Sequence, residues 1–131
     1  MQIHPYLIFS GNCREAMLFY QSCLGGELSL QTIHDSPMAG EWPDEVQDQI
    51  LHATLMNGQT MIMASDMGGR EDENSNGRIF ISLTCSTGKE IKDFFTKLSE
   101  GGQITRPLHE FYAGTIGAIT DKFGMNWLLY L

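Results

Sequence analysis

The sequence predicts an α+β fold built from two copies of a strand-helix-strand-strand-strand (βαβββ) module. Their strands are expected to form a curved mixed sheet around a concave cavity. Three observations lead there. The stretch "AMLFYQSCLGGEL" (residues 16–28) returns as "IKDFFTKLSEGGQI" (residues 91–104), with an aromatic pair, a polar turn, Leu and Gly-Gly in the same order. Runs of alternating apolar and polar residues surround each copy, as half-buried strands require. The chain has 131 residues, 42% of them hydrophobic and 18% charged, which fits one globular domain with a real core. The domain is read as 1–131, with module one at 1–66 and module two at 78–131.

The elements follow in order. Ile3 to Phe9 reads as a strand, and Pro5 within it implies an edge position. Asn12 and Glu15 form a capping pair for a helix from about Cys13, whose apolar face carries Ala16, Phe19, Tyr20, Cys23 and Leu24. Gly25-Gly26 ends it. Glu27 to Ile33 is a second strand, and the polar stretch Asp35 to Gln49 is a loop. Ile50 to Met56 and Thr60 to Ala64 flank "NGQ" and read as a hairpin. Ser65 to Gly77 is the most hydrophilic stretch and reads as a mobile link.

The order then restarts. Arg78 to Cys85 is a strand, and Thr87 with Glu90 makes a capping box. Ile91, Phe94, Phe95 and Leu98 form the next helical face, which Gly101-Gly102 closes. A short strand at Gln103 to Thr105 precedes a loop with Pro107 and "HEFYAG". Thr115 to Thr120 and Asn126 to Leu131 are the last strands, separated by "DKFG".

Bulk properties narrow the function. A formal net charge of −8 argues against a nucleic-acid partner, which needs a basic face. No apolar run has bilayer length, and "MQIHPYLIFS" reads as a strand rather than a signal peptide, so the expected location is cytoplasmic. Cys13, Cys23 and Cys85 have no zinc spacing and read as reduced thiols. Cys23 and Cys85 fit as core residues, while Cys13, near a helix start, is placed for a lowered pKa. No Gly-rich phosphate loop follows a strand and no G-x-S-x-G elbow is present.

The segments "PYLIFSGNCREAMLFYQSCLGGEL", "LHATLMNGQTMIMASD" and "ITDKFGMNWLLYL" together resemble the vicinal oxygen chelate superfamily, the glyoxalase, bleomycin-resistance and dioxygenase group, and within it the PhnB-like branch. The resemblance covers nearly the whole chain. Lys122 departs from it, standing where relatives often have Pro between Asp and Phe-Gly. The resemblance implies a divalent metal held by two side chains from each module and acting as a Lewis acid.

Strand parity places those positions. Leu7 and Phe9 suit a helix-covered core, so His4, Tyr6 and Ile8 take the cavity face. The same parity sends Ile50, His52, Thr54 and Met56 inward, then Arg78, Phe80, Ser82 and Thr84, and lastly Asn126, Leu128 and Tyr130. The four ligand positions become His4, His52, Phe80 and Leu128, and neither Phe nor Leu ligates a metal. His109 or Glu110 would have to complete a set. Tyr6 and Asn126 are candidates to orient a ligand, Phe111 and Tyr112 to cover the cavity mouth, and Trp42 to serve as a lid or a partner contact. Trp127 and the strand methionines read as core.

Two functions follow. The first is a cavity protein that binds a small molecule through His4, Tyr6, His52, Thr54, Phe80, Tyr112, Asn126 and Leu128, with no cofactor and no complete metal site. The alternative is a divalent-metal enzyme of glyoxalase or dioxygenase type using His4 and His52. A homodimer is expected, with "NWLLYL" as its apolar surface.

Overall fold

The computed structural model describes residues 2–67, 79–111 and 114–131. They fall into two compact units, one within Met1–Glu73 and one within Asn74–Leu131. The expected strand at Arg78 begins outside the described residues, as do most of the link 65–77 and Tyr112. No helix among the described residues is long and apolar enough to cross a membrane.

The first unit runs β1 (Tyr6–Ile8), α1 (Cys13–Leu24), β2 (Glu27–Thr32), β3 (Ile50–Asn57) and β4 (Thr60–Ser65). Its sheet has the order β1-β4-β3-β2, with β1 parallel to β4 and the other pairs antiparallel. The second unit repeats this: β5 (Ile81–Thr84), α2 (Gly88–Ser99), β6 (Gln103–Phe111), β7 (Gly114–Thr120) and β8 (Asn126–Tyr130). Its order is β5-β8-β7-β6, again with the first and last strands parallel. The duplication read from the helices therefore extends to strand order and direction.

Each sheet buries one face under its helix. In the first unit the buried Cys13, Ala16, Met17, Tyr20 and Cys23 of α1 lie over β3 and β4, which bury Ala53, Leu55, Ile62 and Ala64, and Leu7 and Phe9 are buried as well. In the second, Ile91, Phe95 and Leu98 of α2 meet Ile119, Trp127 and Leu129. The Trp127 indole Nε1 donates to Asp121 Oδ2 at 2.8 Å.

The repeated Gly-Gly has a mechanical cause. After each helix the chain must pass tightly against the end of a neighbouring strand. A Cβ at Gly26 would fall on the carbonyl oxygen of Met56, and one at Gly102 on that of Thr120. Met56 is near the end of β3 and Thr120 ends β7, equivalent places in the two modules. Only a residue without a side chain fits there.

Several expectations need correction. Asn12 does not cap α1 with its side chain. The carboxylate of Asp66, just past β4, does so from across the sheet: its Oδ1 accepts from Gly11 N at 2.8 Å and Cys13 N at 3.0 Å. Its Oδ2 accepts from Ile50 N at 2.9 Å. The start of the presumed link is thus ordered and buried. The Thr87 cap is present, with Oγ1 accepting from Glu90 N at 3.1 Å. The stretch 103–111 is one long strand rather than a short strand and a loop. Pro107 is tolerated because β6 is an outer strand and its register shifts between Arg106 and His109. Finally, β8 is an interior strand, flanked by β5 and β7, with Trp127 and Leu129 buried. Trp127 and Leu129 of "NWLLYL" are thus core, while Asn126, Leu128 and Tyr130 are half-buried on the other face of the sheet. Pro5 does precede an outer strand, as expected.

Two stability predictions follow. Gly26→Ala and Gly102→Ala should each destabilise by about 2–4 kcal/mol, because backbone must move to admit the Cβ. Gly40→Ala, which meets nothing within 4 Å, should stay within about 0.5 kcal/mol of the parent in urea titrations. Asp66→Asn should cost about 2–4 kcal/mol, since an amide cannot accept on both sides and leaves a buried N–H unpaired.

Candidate functional site

The face of the first sheet away from α1 is the candidate site. Leu7 of β1 pairs laterally with Ala64, and Ala64 with Ala53, which fixes the helix side. The opposite side carries Tyr6 beside Met63, Met63 beside Thr54, and Met61 beside Met56. The sequence order β1, β3, β4 hides the fact that β4 lies between the other two. Tyr6 and His52 reach across it: Tyr6 Oη and His52 Nδ1 are 3.1 Å apart, with ring centroids 5.7 Å apart. Tyr6 is 46% exposed and His52 half-buried, so the pair is accessible from the open side. A phenol and an imidazole in contact can exchange a proton or jointly hold a polar atom.

Ile50 does not share this face. Gln31 pairs with His52 but Thr32 pairs with Ile50, so Leu51 is an extra residue in β3. This β-bulge breaks the alternation and turns Ile50 into the core, where it is fully buried.

The other named residues are placed as follows. His4 precedes β1 and its Nε2 lies 3.2 Å from Gln2 Oε1. In the second unit Leu128 sits between Ser82 and Ala118 on β8, on the face away from Trp127 and Leu129. Asn126 shares that face, but its Oδ1 accepts from Thr120 Oγ1 at 2.8 Å, so it ties β7 to β8. Phe80 precedes β5 and is 43% exposed. Phe111 packs edge-on against Tyr130 with centroids 6.0 Å apart. Trp42 belongs to a pinned loop: the Gln47 side-chain amide donates to Ala39 O at 2.8 Å and Trp42 O at 2.9 Å.

The divalent quartet implied by the resemblance does not fit these residues. Phe80 and Leu128 have no donor atom, and His109 Nδ1 lies 2.9 Å from Pro107 O on an outer strand. No group of three or more His, Cys, Asp or Glu side chains among the described residues is arranged to hold a metal ion. At the helix starts the chain's own side chains take part of the donor set: Asp66 accepts from Cys13 N at α1, and Thr87 from Glu90 N at α2.

Cys13 behaves opposite to expectation. Burial, then the Asp66 charge, pushes its thiol up to about 12, outweighing the opposing effect of Arg14. Burial and Glu90 also raise Cys85. All three cysteines are buried. Folded protein at pH 8 should therefore give almost no reaction with a thiol reagent, and all three should react in denaturant. Because the unfolded thiol ionises first, stability should fall as pH rises from about 9 toward 12. Cys13→Ala should flatten that slope in denaturation curves.

Relatives share the whole chain. The family model described as 3-demethylubiquinone-9 3-methyltransferase matches residues 1–130. Protein YjdN of Escherichia coli (strain K12) is 30% identical over 142 residues, spanning 98% of this chain and 94% of its own. The crystal structure of protein PA1353 from Pseudomonas aeruginosa is similar at TM-score 0.86 and 38% identity, over 99% of this chain and 96% of that one. A PhnB protein from Bacillus cereus, carrying the same methyltransferase description, gives TM-score 0.80 and 28% identity over 100% and 99%. A glyoxylase/bleomycin resistance protein/dioxygenase domain from Frankia sp. EAN1pec shares the fold at TM-score 0.64 and 18% identity, over 100% and 96%.

Proposed function

The chain belongs to the family described as 3-demethylubiquinone-9 3-methyltransferase, a PhnB-like branch of the vicinal oxygen chelate superfamily, and from that premise we propose that it is a small-molecule binding protein. The ligand lies on the open face of the first sheet and is held without a divalent metal. The observation that carries this reading is the Tyr6–His52 hydrogen bond at 3.1 Å on an accessible face otherwise lined by Ile8, Met61 and Met63. Apolar area supplies affinity and the polar pair sets orientation, the usual division in such sites. Thr54 adds a hydroxyl on the same face.

The methyltransferase description finds no support in these residues. A methyl donor with an anionic group would meet helix starts already partly capped by the chain's own side chains. The reading is completed by a cytoplasmic homodimer, which rests on the superfamily resemblance.

NMR titration of metal-free protein with a library of small amphipathic molecules tests the binding reading. Ligands should shift the Tyr6 and His52 resonances, and Tyr6→Phe should weaken binding about 2- to 10-fold, the worth of one neutral hydrogen bond. Ligands that map to the helices, or stoichiometric divalent metal in untagged protein that is lost in a His4→Ala/His52→Ala variant, would overturn it. Light scattering should give about twice the 14.7 kDa chain mass, and a single-chain mass would reject the dimer.

A further inference from the structure

The open face of the first sheet concentrates sulfur. Met56 and Met61 oppose each other directly across the β3–β4 hairpin, and Met63 lies two residues further along the same face. Met63 has Thr54 on one side and Tyr6 on the other. Opposed residues on one face stand about 4.5–5.5 Å apart at Cβ and diagonal ones about 7–8 Å. Flexible, unbranched Met side chains at those spacings can bring three thioether sulfurs to one point.

These methionines are not filling the core. The helix side of the same strands is occupied by Ala53, Leu55, Ile62 and Ala64, while Met56 is 48% exposed and Met61 and Met63 are half-buried. His52 lies on the same face but four residues from Met56 along β3, about 13 Å at the rise of a strand, and so outside the cluster. Glu27, opposite Met56, places a carboxylate beside the cluster to balance a cation.

Thioether donors are soft. They favour monovalent copper over magnesium, calcium or manganese, which need oxygen ligands. We propose that the thioethers of Met56, Met61 and Met63 form a binding site for monovalent copper. It differs from the divalent quartet of the superfamily in ion, ligand type and position, and shares no residue with it. It does not rest on the organic ligand proposed above, whose binding is measured on metal-free protein.

The test is titration of the intact chain with Cu(I) in the absence of oxygen, in competition with a colorimetric Cu(I) chelator. It is repeated with redox-silent Ag(I) while following ¹³C-methyl methionine spectra. One equivalent of Cu(I) should be retained, and the methyl signals of Met56, Met61 and Met63 should move on Ag(I) addition while that of buried Met17 stays. Met61→Leu/Met63→Leu, which keeps side-chain volume, should weaken Cu(I) binding roughly tenfold or more. Failure to retain Cu(I), unchanged affinity in the Leu variant, or methyl signals that do not move would overturn the proposal, the last two sending the copper to the cysteine thiols. If the Leu variant does not fold, the methyl spectra of the unsubstituted chain decide.

Discussion

The first module depends on one carboxylate. Asp66 takes hydrogen bonds from the backbone N–H groups of Gly11, Cys13 and Ile50, and so joins the end of β4 to the start of α1 and the start of β3. Each bond to a charged acceptor is worth about 1.5–3 kcal/mol, and together they offset the cost of burying the charge. The position of α1 over the sheet follows from this junction. So does the direction of β1, which enters α1 through Gly11, and hence the placement of Tyr6 on the open face. The raised thiol of Cys13 is a side effect of the same charge in the same dry setting.

The two modules share a backbone plan but have diverged in what their open faces offer. In the first, Tyr6 and His52 make a polar pair among methionines. In the second, Leu128 sits where a donor would be expected, and Asn126 spends its side chain on Thr120. Asp66 has no counterpart by position in the second unit. Asp121 is its nearest analogue in chemistry, but it shapes the β7–β8 turn by accepting from Phe123 N at 2.9 Å and Met125 N at 3.0 Å, and anchors Trp127. A duplicated fold has thus kept its geometry while redistributing its polar groups.

Much of this was legible beforehand because it is local. Helix faces, the Thr87 cap, the "NGQ" turn and the alternation around Leu7, Phe9 and Trp127 depend on neighbours a few residues away. What stayed hidden is long-range. The Asp66 cap acts across 53 residues of chain, while Asn12 offered a local cap that is not used. The bulge at Leu51 leaves no mark in composition, so parity counting put Ile50 on the wrong face. Pro107 was read as a loop because a proline removes a donor, a penalty that an outer strand does not feel. The Tyr6–His52 pair was half-legible: parity put both rings on one face, but their contact needed the strand order β1-β4-β3.

In each module the first strand pairs with the last one made, Tyr6 with Met63 and Ile81 with Trp127. Such a pairing closes a long loop before it returns any stabilisation, which slows folding. On the ribosome, the nascent chain would carry β1 without its sheet partner until residue 65 had left the exit tunnel. A chain paused at the hairpin would expose Leu7 and Phe9, with Cys13 in reach of oxidants. The order of synthesis therefore makes each module an all-or-none unit, completed by its final strand.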